Sequence, residues 1–131
     1  MRANFWQGEF PWQNHMLDGY AGTSPVGAFP ANGFGLSDVC GNVWEWTADW
    51  FTTRPADGTP SPCCAPPETI RPGETIPRRV IKGGSHLCAP SYCLRYRPAA
   101  RQSESVESAT THLGFRCIAR PAETAAGRVH G

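Results

Sequence analysis

Two cysteines five residues apart, Cys88 and Cys93 in HLCAPSYCLRYR (residues 86–97), are the side chains most able to do chemistry in this 131-residue sequence. Pro90 lies between them and can fold the chain so that both sulfurs converge. Spacing alone leaves three readings open: a disulfide, a metal site, or two small apolar residues of a core. A pair of thiolates with no neighbouring carboxylate or zinc knuckle is a soft, low-coordinate donor set, which suits Cu(I) better than harder ions. The other cysteines, Cys40, Cys63, Cys64 and Cys117, make the count even, but no CxxC knuckle pair is present. A structural zinc site is therefore not expected. A disulfide framework needs an oxidising compartment, and the N-terminal MRANFWQGEFPW has no apolar run of signal-peptide type. The expected location is cytoplasmic.

Positioning these residues falls to short elements, because 14 glycines and 13 prolines are spread along the whole chain. In GFGLSDVCGNVWEWTADWF (residues 33–51), VWEWTADWF alternates apolar and polar residues, the pattern of a half-buried strand. Trp44, Trp46 and Trp50 fall on one parity and are expected to share a face. Further strands are expected at Arg78 to Ser85, Tyr92 to Ala100 and Leu113 to Arg120, giving a small antiparallel sheet. Thr53 to Pro77 is too proline-rich for a ladder and reads as a long loop. Arg101 to His112 is polar and reads as a turn of helix or a surface loop.

Composition narrows the class. A hydrophobic share of 40% with 11% aromatic residues is enough for a packed core in one domain. The net charge of +1, without a basic run, excludes the electrostatic footprint of a nucleic-acid binder and of a polybasic membrane segment. No window approaches the ~20 apolar residues of a membrane span. All but one of the basic residues are arginine, which favours fork-shaped contacts to carboxylates and carbonyls.

Taken in order, NFWQGEFP, SPVGAFPANGFGL, GNVWEWT, KGGSHLCAPSYCLRYRPAAR and HLGFRC resemble the formylglycine-generating enzymes, the sulfatase-modifying factor family. The most specific stretch is the run holding both cysteines, and CCAP at residues 63–66 is similar to actinobacterial members. The resemblance covers the C-terminal half of the family's domain, over residues 1–121, with 122–131 as a tail. It implies an α+β fold related to the C-type lectin fold, with long loops and little regular secondary structure. It also implies oxidation of a cysteine in the CxPxR motif of a sulfatase to Cα-formylglycine, using copper and O2, by a monomer. Cys88 and Cys93 would then hold Cu(I), Ser85 would stand beside them, and Trp44 would line the same pocket. Tyr92, Arg95 and Arg97 would shape the peptide groove or pair with carboxylates. Cys64 and Cys88 each begin a CAP tripeptide, but neither has the arginine that CxPxR needs, so self-modification is not expected.

The resemblance further implies two structural Ca2+ sites, built from the oxygen donors that hard cations require. One would use the side chains of Asn4 and Asp18 with the carbonyls of Phe5 and Tyr20. The other would use Asp38 and Glu45 with the carbonyls of Gly41 and Val43. Cys117 aligns with a disulfide cysteine of animal secretory members, whose partner is replaced here by Pro98. Cys40 and Cys117 are therefore expected as buried thiols. The competing class is a non-catalytic binding module of the same fold, or an inactive fragment; such relatives usually lack the cysteine pair.

Overall fold

The computed structural model describes residues 1–51, 73 and 76–119. The Thr53–Pro77 loop expectation, Cys63 and Cys64 lie wholly or almost wholly outside these residues, as does the 122–131 tail. The architecture is a four-stranded sheet with loops on either side, and no helix occurs among the described residues. The helical part of an α+β fold is thus absent from the described chain.

The strands are β1 (Trp44–Trp50), β2 (Arg78–Lys82), β3 (Arg101–Ser105) and β4 (Leu113–Gly114), in the spatial order β3-β2-β1-β4. β1 and β2 run antiparallel with Trp46 opposite Ile81, and β2 and β3 run antiparallel with Ile81 opposite Gln102. β4 pairs with β1 in parallel, Trp44 opposite Leu113. The sheet is therefore mixed, which corrects the antiparallel expectation.

Val80 and Ile81 explain why β2 sits inside the sheet. Neighbouring strand residues point to opposite faces, and here both are buried, so both faces of the sheet are covered. One core cluster gathers Trp44, Ile81 and Cys88, with Trp46, Cys93, Tyr96 and Leu113 packed around it. Trp50 leaves that group. The register shifts between Trp46 and Trp50, and Trp50 lies instead under the Arg79 guanidinium, 4.0 Å from the ring centre.

Two expected strands are displaced for a clear reason. Tyr92 to Ala100 forms turns, because Pro90 and the backbone bonds of residues 89–95 close the chain on itself. The polar RQSES segment takes the ladder position beside β2, where Ser103 is buried and Arg101 and Glu104 reach the rim. A strand at a sheet edge needs ladder partners more than apolar side chains, and the 3.6- and 2-residue periods carry no signal in such a sequence. β4 is two residues long rather than extending to Arg120, the far end of which lies outside the described residues.

Trp12, Val26, Phe34, Phe115 and Ile118 are largely exposed. No helix among the described residues is long and apolar enough to cross a membrane.

Candidate active site

The loop from Gly83 to Tyr96 carries the cysteines, and its path is fixed by backbone bonds. Cys88 N–H donates to the Ser85 carbonyl at 2.9 Å, which closes one turn. Tyr92 and Cys93 N–H both donate to the Ala89 carbonyl, at 3.1 and 2.8 Å, which closes the next. Pro90 occupies the second position of that turn, where its fixed φ is favourable. The second turn brings Cys93 back over Cys88. Gly83 and Gly84 enter the loop with φ of +91° and +72°, a region that costs other residues about 1–2 kcal/mol.

Trp6 and Asn42 hold this loop to the rest of the fold. The Cys88 carbonyl accepts from Trp6 N–H at 3.0 Å, which ties it to the N-terminal segment. The Asn42 carbonyl accepts from both His86 N–H at 2.8 Å and His86 Nδ1–H at 3.0 Å. Trp44 N–H donates to the His112 carbonyl at 2.8 Å, which sets the tryptophan at the start of β1 against the entry to β4.

These elements enclose a cavity of about 190 Å3 whose lining includes Trp44, Ser85, Cys88 and Cys93. All four residues expected at the catalytic centre are therefore brought together. The cavity has an aromatic wall in which Phe10 stacks on Tyr92, centroids 4.8 Å apart, with Trp6 edge-on to Phe10. Arg95, Gln102 and His112 form its polar wall, and the Arg95 guanidinium donates to Gln102 Oε1. A larger hollow of about 620 Å3 lies along Trp46, Ala48, Pro98 and Ile118, but no thiol lines it. Cysteine chemistry belongs to the smaller cavity.

Phe10, Gln102 and His112 were not foreseen from sequence. His112 is the first residue of the HLGFRC motif, and its place in that motif was the available signal. Gln102 sat in a stretch read as a loop. Arg97, expected near the groove, does not line the cavity.

Cys40, Cys88, Cys93 and Cys117 are free thiols. Cys88 is almost wholly buried and Cys93 half-buried, and Ser85 N–H donates to Cys88 Sγ at 3.5 Å. Burial pushes the Cys88 thiol up to about 11; the Ser85 backbone N–H opposes the rise and the Cys93 thiol adds to it. Burial also lowers the His112 pKa, helped by the nearby His86 and opposed by Glu104. A neutral imidazole therefore faces the cavity at neutral pH. Among the described residues no group of three His, Cys, Asp or Glu side chains is placed to hold a metal. The cysteines thus stand as a two-sulfur donor set, with room for a further ligand from outside. That set fits a soft, low-coordinate ion in donor chemistry and number.

Cys117 is exposed, against the expectation of a buried thiol, because the chain beyond β4 runs along the surface. Cys40 is half-buried, and burial and the Glu45 carboxylate raise its pKa. The contrast gives a direct prediction. At about pH 8 iodoacetamide should modify Cys117 well ahead of Cys88, whose labelling should grow as pH approaches its raised pKa, since the thiolate is the nucleophile. Peptide mapping by mass spectrometry checks this, and equal labelling of the two at about pH 8 would show that Cys88 is neither buried nor shifted.

The oxygen-donor groups differ from one another. Asn4 is buried, its Nδ2–H donating to the Gly22 carbonyl at 2.8 Å. Asp18 Oδ1 accepts from Tyr20 N–H at 3.0 Å, whereas Asp18 Oδ2 is buried without a hydrogen-bond partner. A buried carboxylate oxygen without a protein partner is costly unless a water or an ion meets it. The Asn4 and Asp18 set therefore fits a hard cation. Glu45, by contrast, is already engaged by Arg116 on both carboxylate oxygens.

The model of the sulfatase-modifying factor enzyme 1-like domain matches residues 1–121. The formylglycine-generating enzyme of Mycobacterium tuberculosis is 53% identical over 122 residues, covering 92% of this chain and 41% of the relative. That of Thermomonospora curvata is 51% identical over 120 residues, covering 92% of this chain and 39% of the relative. A protein of Bos taurus named inactive C-alpha-formylglycine-generating enzyme 2 is 37% identical over 119 residues, covering 88% of this chain and 33% of the relative. The chain thus spans about two fifths of the length of the two bacterial relatives. With the match running through nearly all of its length and the cysteine cavity assembled, the chain belongs to the sulfatase-modifying factor family, among the formylglycine-generating enzymes and their relatives.

Proposed function

We propose that this chain carries the metal-holding part of a copper- and O2-dependent oxidase that converts the cysteine of a CxPxR motif in a sulfatase to Cα-formylglycine. The observation that carries the reading is the free Cys88–Cys93 pair lining an open cavity, with no group of three metal-holding side chains around it among the described residues. Cys88 and Cys93 would hold Cu(I), which when bound supplies the means of activating O2 and lowers the pKa of a thiol that ligates it.

The remaining residues bind and orient. Cys88 must give up a proton for its sulfur to become a ligand, and its raised pKa makes that loss strongly pH-dependent. Ser85 N–H, aimed at Cys88 Sγ, favours the deprotonated form once the proton has gone. Trp44 and Leu87 with the Phe10–Tyr92 stack give an apolar wall that shields the sulfurs from bulk water. Arg95, Gln102 and His112 offer hydrogen bonds to the carbonyls and amides of an extended peptide laid across the opening. Ca2+ held by Asn4 and Asp18 with the carbonyls of Phe5 and Tyr20 would fasten the N-terminal segment, which in turn grips the Cys88 carbonyl through Trp6.

The test is a CxPxR peptide incubated with the chain, Cu(I) and air, followed by trapping of the aldehyde with a hydrazide and mass spectrometry. Trapped product that needs both cysteines supports the oxidase. The resemblance to an inactive relative keeps the binding-module reading in view; peptide retention without product, unchanged when both cysteines are serine, would establish that alternative.

Calcium loading has its own expected result. Asp18→Asn removes the charge beside the orphan oxygen and should abolish the rise in unfolding temperature that millimolar Ca2+ gives the wild-type chain. A ligand at 100 times its Kd stabilises a protein by about 2.7 kcal/mol, so the lost shift is readily measured by scanning calorimetry.

A further inference from the structure

Arg116 lies just beyond β4 and reaches back to β1. Its Nε–H donates to Glu45 Oε2 at 2.6 Å, one terminal nitrogen pairs with Glu45 Oε1, and the same nitrogen donates to the Ser37 carbonyl at 3.0 Å. This is the two-pronged arginine–carboxylate geometry, the strongest form of such a pair. Asp38, whose Oδ2 accepts from Gly27 N–H at 2.7 Å, lies close enough that its charge and that of Glu45 both favour the guanidinium. The side chain thus stands in the acidic cluster where the family resemblance expects calcium.

A calcium ion needs six to eight oxygen atoms, and negative charge not already neutralised. Here the N–H groups of Arg116 point at the Glu45 oxygens, and the fixed positive charge cancels one of the two carboxylates. The contrast lies within the same molecule: Asp18 Oδ2 is buried without a partner, whereas both Glu45 oxygens have one. We propose that Arg116 is the resident cation of the Asp38–Glu45 cluster, so that a divalent or trivalent metal enters there only when the guanidinium is removed. This chain then takes up one hard cation, at Asn4 and Asp18. The fastening of β4 to β1, and with it the seat of His112 beside Trp44, does not depend on calcium.

Terbium titration followed by calorimetry tests this without any reference to turnover, so its failure and failure of the oxidase reading are distinguishable. Wild type and Glu45→Gln are expected to take up the same number of Tb3+ ions, and Arg116→Gln one more. That extra equivalent should be missing from the Glu45→Gln, Arg116→Gln double variant. Loss of an equivalent in Glu45→Gln alone would overturn the proposal, as would a folded Arg116→Gln chain with wild-type uptake. Arg116→Lys keeps the positive charge and provides a milder probe of folding; uptake unchanged from wild type is expected, and a gained equivalent in this variant would also count against the assignment.

Discussion

Serine in place of Cys88 or Cys93 is expected to abolish tight Cu(I) binding by this chain and, in a protein carrying the whole domain, aldehyde formation. Among the described residues the two sulfurs are the only thiols lining the cavity, so losing one removes half of that soft donor pair. Hydroxyl oxygen is a hard donor and a poor substitute for a soft ion. The loss should exceed the roughly 10–100-fold that altered second-layer contacts cost a metal site. Titration under reducing conditions against a competing Cu(I) chelator gives the scale. Cys117→Ser, which alters an exposed thiol away from the cavity, should bind as wild type does. One equivalent bound equally well by Cys88→Ser would remove the two-thiolate assignment.

The pH dependence of that binding has a definite sign. The Cys88 thiol is raised to about 11 in the fold, so at neutral pH binding must displace its proton. Apparent affinity should therefore rise with pH, by up to tenfold per unit for each proton released. An affinity that stayed flat across the neutral to alkaline range would mean that Cys88 is not a ligand.

Gly84→Ala is expected to be a strongly damaging single-methyl change at the site. The residue has φ of +72°, and a Cβ there would lie 2.6 Å from the Arg95 carbonyl oxygen and 2.7 Å from Tyr96 Cα. Both obstacles are backbone atoms, which cannot rotate away, so the loop that presents Ser85 and Cys88 has to separate from the one behind Cys93. Conformational strain of about 1–2 kcal/mol adds to that displacement, for a total of roughly 3 kcal/mol or more. A fall of about 10 °C in Tm follows for a domain of this size. Gly33→Ala is the matched control, since its Cβ would meet nothing within 4 Å and its φ is ordinary. If thermal melts of the two variants agreed, the close approach of the loops would be wrong. Copper binding should fall with Gly84→Ala even where the chain remains folded, because the spacing of the two sulfurs depends on that approach.

The exposed Trp12, Phe34, Phe115 and Ile118 and the apolar hollow along Trp46 and Pro98 accompany a chain that spans about two fifths of the length of its bacterial relatives. Apolar area of this kind contributes stability only when covered, at about 25 cal/mol per Å2. What the described residues do assemble without further covering is the cysteine cavity, because its walls come from segments tied to one another by backbone bonds.

Residue type and spacing by themselves singled out Cys88 and Cys93 and left them open between a disulfide, a metal site and a core pair. Their grouping with Ser85 and Trp44 in one site came from the resemblance of the quoted motifs to a known family, because which distant residues share a pocket is not written in local side-chain preference. β1 was legible because Trp44 and Trp46 alternate with polar residues, and β2 because Val80 and Ile81 form a β-branched pair just before paired glycines, each buried on its own face of the sheet. Only the tertiary structure decided the rest. RQSES becomes β3 because β2 offers it a ladder, which its own polar side chains do not announce. Tyr92 to Ala100 loses its strand to turn closure through the Ala89 carbonyl. Phe10 reaches the cavity through the N-terminal segment's grip on Cys88, Gln102 through the pairing of β3 with β2, and His112 through the parallel pairing of β4 with β1. Arg116 and Glu45 are 71 positions apart, and whether Glu45 meets a guanidinium or a metal is set by that long-range pairing. Local pattern fixes what a residue is able to do, and the contacts made across the fold fix which of those things it does.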